Sequence, residues 1–147
     1  MNPEHVKART IRGAVITVSS SRTKETDQSG ETIIRLLEQA GIDISHYAIV
    51  PDKIDAIRNE VIKALECAEC VVLNGGTGLT HDDCTIEAVV PLLDKKIEGF
   101  GEIFRMLSFQ GIGSAAMLSR AVAGISSGRA VFCIPGSTGA VKLATSA

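Results

Sequence analysis

A doubly wound α/β domain, with three layers and a mostly parallel sheet covered by helices on both faces, is the fold class this sequence predicts. Three observations predict it. Apolar β-branched runs alternate with amphipathic segments in the order β-α-β-α-β, the pattern that builds parallel sheets. The first run, IRGAVITV, is nearly continuous, as in a strand buried on both faces. The third run, VVLN, breaks into Gly75-Gly76-Thr77-Gly78, a strand-to-helix turn whose backbone N–H groups can approach an anion closely.

The elements follow in order. Ile11–Val18 is the first strand and ends in Ser19-Ser20-Ser21-Arg22. Residues 23–30, TKETDQSG, read as a loop, with Asp27 or Ser29 placed to cap the next helix. There Ile33, Leu36, Leu37 and Ala40 form one apolar face, and Gly41 is the stop. Ile42–Val50 is the second strand, closed by Pro51-Asp52. From about Lys53 to Leu65 a second amphipathic helix shows Ile54, Ile57, Val61, Ala64 and Leu65. Cys70–Leu73 is the third strand. Thr85–Leu93 is a short helix that Pro91 ends or bends. Phe100–Phe109 and Ser114–Ser119 are further helical pieces. Val122–Ser126 and Arg129–Ile134 are late strands, and Pro135-Gly136-Ser137 leads into a terminal helix.

Composition narrows the function. The 147 residues favour one domain. Apolar residues make up 45% and charged residues 22%, a globular balance. A net charge of −2 gives no broad basic field and argues against general nucleic-acid binding. One tyrosine and no tryptophan leave little surface for stacking bases. No apolar run is long enough to span a membrane. The polar start MNPEHVKART lacks the apolar core of a secretory signal. Residues 1–10 read as a mobile arm before a single domain over 11–147, in a cytoplasmic protein. Cys67 and Cys70 form a C-x-x-C without a second ligand pair; with Cys84 and Cys133 they read as packing thiols in a reducing compartment.

In such sheets ligands sit outside the carboxyl ends of the strands. The loops there are SSSR, PDK, GGTG and PGS. GGTG has neither the G-K-[ST] ending of a P-loop nor the spacing of a dinucleotide fingerprint. The adjacent Asp82 and Asp83 suit a helix N-terminus, where they would cap it. They also lie near the glycine loop, and Asp52 is predicted at a neighbouring strand end. A metal that bridges phosphates needs one or two protein carboxylates, which Asp52 and Asp83 could supply. Ser19, Ser20 and Ser21 are turn residues or phosphate donors. His81 has no partner histidine at a ligand spacing and reads as a solvated loop residue. No G-x-S-x-G elbow suggests a hydrolase.

The stretch NGGTGLTHDDCTIEAVVPLLDKKIEGFGEIFRMLSF, with SAAMLSRAVAGI and IPGSTGAV after it, resembles the molybdenum-cofactor biosynthesis family MoaB/Mog. The likeness runs from about Arg12 to the C-terminus, and the ordered set of motifs is far more specific than any one of them. It implies a molybdopterin-binding fold in a homo-oligomer, a trimer or a hexamer. It implies the adenylylation of molybdopterin by ATP with Mg²⁺, giving adenylated molybdopterin and pyrophosphate. The family's aspartates match Asp52 and Asp83, as catalytic residues and metal ligands. Asp82 stands at a position that is not acidic throughout. The glycine loop, Gly75, Gly76, Thr77 and Gly78, would seat the nucleotide. The pterin would lie near Ser19, Ser20, Asp27, Ser29 and Pro135-Gly136-Ser137. Glu102 and Ser119 belong to motifs assigned to architecture and assembly. Lys53 and Arg22 are candidate cations for the phosphates. The molybdate-inserting enzyme of the same pathway is a candidate partner.

Two other functions remain open here. MoaB-type relatives with an altered first aspartate suggest a non-catalytic molybdopterin-binding scaffold, although this chain keeps Asp52. A phosphohydrolase resembling the competence-damage proteins would turn over a nucleotide without any pterin.

Overall fold

The computed structural model describes residues 11–103, 106 and 120–136. Its strands are β1 (Arg12–Val18), β2 (Asp43–Val50), β3 (Cys70–Asn74), β4 (Lys95–Lys96), β5 (Val122–Ser126) and β6 (Arg129–Ile134). Its helices are α1 (Gln28–Gln39), α2 (Ile54–Leu65) and α3 (Thr85–Val89), with a 3₁₀ turn over Val90–Leu92. Residues 98–103 are also helical. The expected arm, the pieces near 107–119 and the segment from Ser137 onward lie outside the described residues.

The strands form one six-stranded sheet in the order β2-β1-β3-β6-β5-β4. The β1–β2, β1–β3 and β3–β6 pairs are parallel. Strand β5 runs antiparallel to both β6 and β4. The mostly parallel sheet expected from the alternating pattern is therefore present, with one reversed strand toward an edge. Two-residue β4 was not foreseen: Lys95 and Lys96 are exposed and give no strand pattern. Lysines on a short edge strand oppose edge-to-edge pairing.

Period-two alternation divides the core between the two faces. Ala14, Ile16 and Val18 of β1 pack on one side with Val71 and Leu73 of β3, against Ile57, Val61 and Ala64 of α2 and Ala88 and Val89 of α3. Val15 and Val72 point to the other side, toward Ile33 of α1 and Ile134. Phe100 meets Phe132 there edge-on, at 5.5 Å between ring centroids. Each fully buried side chain of this size contributes roughly 1.5–3 kcal/mol.

The boundaries have local causes. Helix α1 starts because Asp27 accepts from the Gly30 N–H at 3.1 Å and stops before Gly41, whose φ of +86° suits glycine. The predicted Thr85–Leu93 helix gives way to the 3₁₀ turn at Val90, with Pro91 in its first positions. The expectation that Asp82 or Asp83 caps this helix is corrected: the N-cap is Cys84, which makes no side-chain cap bond. Asp83 lies one residue too early and binds the preceding turn.

Candidate functional site

The parallel strands end together. Val18 is level with Val50, Thr17 with Asn74, and Asn74 with Ile134. The chain winds from β1 outward to β2, then crosses back to β3 on the other side of β1. That reversal is a topological switch point, where open α/β sheets bind ligands. The exits are stitched together: Ser19 N–H donates to the Val50 carbonyl at 2.8 Å, and Gly75 N–H to the Ile134 carbonyl at 3.0 Å.

The glycine loop requires its glycines. Gly75 and Gly76 have φ of +99° and +67°, a region that L side chains avoid. A Cβ on Gly75 would strike the Val18 carbonyl. One on Gly76 would strike Thr85 Oγ1 and lie 3.4 Å from Asp52 Oδ1. One on Gly78 would lie 2.7 Å from Asp83 Oδ2. The two predicted carboxylates thus flank the loop, Asp52 against Gly76 and Asp83 against Gly78.

The loop carbonyls are held from behind. Thr85 donates its N–H to Gly76 O at 3.0 Å and its hydroxyl to Gly75 O at 2.8 Å. Arg120 Nε donates to both Thr77 O and Gly78 O at 3.0 Å, and Nη2 to Asp83 O at 3.3 Å. Glu87 pairs with the same guanidinium. The N–H groups of Gly76 and Thr77 find no acceptor among the described residues. Successive free N–H groups in such a turn are an anion-binding concavity.

Asp52 is half-buried; its Oδ2 accepts from Ser20 Oγ at 3.0 Å, and its N–H donates back to that oxygen at 3.2 Å. Asp83 Oδ2 accepts from the Thr80 N–H at 3.0 Å and the Thr80 hydroxyl at 2.6 Å. The Thr80 hydroxyl bond, more than the Thr80 and Gly78 N–H groups and Arg120, holds the Asp83 carboxyl below its ordinary value. Partial burial pushes the Cys84 thiol up, and the charges of Asp52, Glu87, Asp83 and Asp82 add to it. The carboxylates of Asp52 and Asp83 are the oxygen donors beside the loop.

That donor set fits Mg²⁺, which takes one or two carboxylates and completes its shell with phosphate oxygens and water. Among the described residues no group of three or more His, Cys, Asp or Glu could hold a metal, so such an ion would depend on the ligand's own phosphates. His81 is exposed at the loop tip, as its solvated reading predicts, and Asp82 is exposed beside it.

The structure divides the expected pterin-side residues. Ser19 and Ser20 line the β1 exit, but Ser19 Oγ is occupied in its own turn, accepting from the N–H groups of Ser21 and Arg22. Gly136 packs over the glycine loop, with its Cβ position 3.1 Å from Gly75 Cα. Asp27 and Ser29 are each 1% exposed and lie beneath the rim. Lys53 is exposed and precedes α2. Glu102 is exposed on the helical segment 98–103. Ser119 and Ser137 lie outside the described residues. Sequence reasoning missed Arg120, Thr85 and Thr80. Arg120 was within sight in the motif LSRA, where only Ser119 was singled out.

Fold and site together define a class: an α/β domain with a carboxylate-flanked anion cradle at its switch point. Residues 14–147 match the family described as a probable molybdopterin binding domain, and the chain belongs to that molybdenum-cofactor biosynthesis family. It is 54% identical over 137 residues to the molybdenum cofactor biosynthesis protein B of Bacillus subtilis, covering 91% of this chain and 81% of that one. A crystal structure of a molybdenum cofactor biosynthesis protein B superposes with a TM-score of 0.89 at 48% identity, over 92% of this chain and 86% of the other. The tungsten cofactor synthesizing protein MoaB of Pyrococcus furiosus gives 0.85 at 38% identity, over 94% and 89%.

Proposed function

We propose that this protein acts in molybdenum cofactor biosynthesis and transfers the adenylyl group of ATP to the terminal phosphate of molybdopterin. One observation carries the reading: Asp52 lies against Gly76 and Asp83 against Gly78 of the one glycine loop. A phosphate oxygen of the pterin attacks the α-phosphorus of ATP, the bond to the β-phosphate bridging oxygen breaks, and pyrophosphate leaves. The nucleophile is already an anion, so no general base is required. The difficulty is to gather anions and offset their charge.

The residues divide that work. The N–H groups of Gly76 and Thr77 receive phosphate oxygens. Arg120 and Thr85 keep the loop carbonyls turned away, so that the cradle is formed before the ligand arrives. Ser20 orients Asp52, and Thr80 orients Asp83. Asp52 and Asp83 would hold Mg²⁺, which when bound supplies positive charge to the α-phosphate and the leaving pyrophosphate. A trimer-based homo-oligomer accompanies this reading, supported by the exposed Ile97, Ile103 and Met106.

The test is direct. Incubation with molybdopterin and Mg-ATP is expected to yield adenylated molybdopterin and pyrophosphate. Asp52→Asn and Asp83→Asn should each lower the rate about a hundredfold or more, on the scale of removing one electrostatic contributor to a transition state. A protein that binds molybdopterin yet forms no product would be a scaffold, and the catalytic reading would fall.

A further inference from the structure

Beneath the rim of the crevice lies a carboxylate that the transfer step does not use. The Asp27 side chain is fully buried, and a buried charge is costly unless it is paired and hydrogen-bonded. A helix cap does not require such burial; exposed Asp, Ser or Asn perform it well.

Asp27 is surrounded by donors. Thr17 Oγ1 donates to Oδ2 at 2.6 Å and Tyr47 Oη at 2.5 Å. Gly30 N–H donates to Oδ1 at 3.1 Å. Gly30 has no room for a Cβ, which would collide with the Asp27 carboxylate and lie 2.7 Å from Thr17 Oγ1. Burial, with Asp27 beside it, pushes the Tyr47 phenol up, so it remains a donor.

Hydrogen-bond directions follow from the inventory of donors. Thr17 gives its proton to Asp27 and accepts from Asn74 Nδ2 at 2.9 Å. Ser29 gives its proton to Asn74 Oδ1 at 2.8 Å, which leaves its oxygen to accept from Arg22 Nη1 at 2.7 Å. Arg22 Nη1 is 3.7 Å from Asp27 Oδ1. Among the described residues this is the one cation paired with Asp27. The network therefore begins inside the sheet and ends on a guanidinium at the mouth of the site. That side chain is 39% exposed and sits 4.0 Å from the Cβ position of Gly136, the residue that covers Gly75.

We propose that Arg22 binds a substrate phosphate at the mouth of the site, beside the contact between Gly75 and Gly136, and that Asp27 is a positioning residue holding Arg22 there directly and through Thr17, Asn74 and Ser29. The proposal rests on the adenylylation reading and changes one part of it: Asp27 and Ser29 support the ligand site without touching the pterin. ATP and molybdopterin both carry phosphate, and the experiment separates them.

The variants are Arg22→Gln, Asp27→Asn, Ser29→Ala and the doubles that combine Arg22→Gln with each of the others. Calorimetric titrations use ATP and molybdopterin separately. Arg22→Gln should weaken one of the two by about tenfold or more, the range of a hydrogen bond to a charged group. The ligand affected identifies the phosphate. Asp27→Asn and Ser29→Ala should weaken the same ligand and add nothing further when combined with Arg22→Gln. Ser29→Ala leaves the three close donors to Asp27 in place, so it reads the link even where Asp27→Asn fails to fold. The proposal is overturned if Arg22→Gln leaves both affinities within about twofold, the smallest change such a titration resolves against the tenfold effect expected. It is equally overturned if the Asp27 and Ser29 effects persist in the doubles carrying Arg22→Gln, because they would then be direct ligands. Absence of adenylated product from the unaltered protein overturns the reaction, and the Arg22 dependence of binding is still measured.

Discussion

Arg120 Nε holds the main-chain carbonyl of Gly78 at 3.0 Å, across 42 residues of sequence. The same nitrogen reaches Thr77 O, and the next carbonyl along the guanidinium belongs to Asp83. One side chain thus fastens the loop before and after its turn. Arg120→Ala should destabilise the protein by about 1–3 kcal/mol, the cost of leaving partly buried carbonyls without donors. It should also weaken ATP binding, because the cradle would no longer be formed in advance. Urea unfolding and calorimetry check the two effects, and Arg120→Lys should recover only part of each, since an ammonium lacks the planar fork.

Two glycines with positive φ should respond differently to alanine. Gly41→Ala meets open space and suffers only the left-handed backbone cost, about 1 kcal/mol. Gly76→Ala adds a collision with Thr85 Oγ1 and crowding against Val18 and Asp52. It should cost at least about 2 kcal/mol more, on the scale of overpacking, and abolish nucleotide binding. Equal losses in thermal unfolding at the two positions would contradict this account of the loop.

Glu69 ties the start of β1 to the residue before β3. Its carboxylate accepts from the Arg12 backbone N–H at 2.9 Å and pairs with the Arg12 guanidinium at 2.6 Å. The Arg12 side-chain bond, then its backbone N–H, draws the Glu69 carboxyl down from 4.5 to about 2. A depressed carboxyl contributes stability that is present above its unfolded value and lost as pH falls through its folded one. The contribution should therefore fade between about pH 4.5 and about 2. Urea midpoints measured across that window should fall less steeply for Glu69→Gln than for the unaltered protein.

Cys133 is buried in the sheet, and burial pushes its thiol up to about 12. Thiolate is the reactive form, so alkylation at pH 8 should leave Cys133 intact until the protein unfolds. Cys67, Cys70 and Cys84 are only partly covered and should react earlier. Peptide mapping after timed labelling reads the order directly; early loss of Cys133 would show that this face of the sheet opens locally.

Much of the architecture was legible because it rests on local periodicity. Ile33 and Leu37, or Ile57, Val61 and Ala64, mark helix faces by spacing alone. The run from Ala14 to Val18 marks a strand covered on both sides. Gly41 and Pro91 punctuate the chain for reasons of backbone geometry that hold in any fold. The glycine loop was legible as a turn, and the family motifs drew Asp52 and Asp83 into one site. Strand β4 was invisible because two exposed lysines owe their conformation to β5 and to nothing in their own sequence.

The sequence by itself determined the alternating α/β plan, the strand ends that carry the loops and the residue types able to meet phosphate and a hard metal ion. Only the tertiary structure decided which of them meet. The parallel register brings Val18, Val50, Asn74 and Ile134 level, which sets Asp52 beside Gly76, while the Thr80 turn holds Asp83 against Gly78. Packing of the α1 N-terminus over Thr17 and Asn74 buries Asp27 and Ser29, where burial makes hydrogen bonding to Thr17, Tyr47, Asn74 and Arg22 obligatory. Sequence spacing registers neighbours along the chain. Burial and strand pairing act between residues tens of positions apart, and at this site those long-range contacts set what each side chain can do.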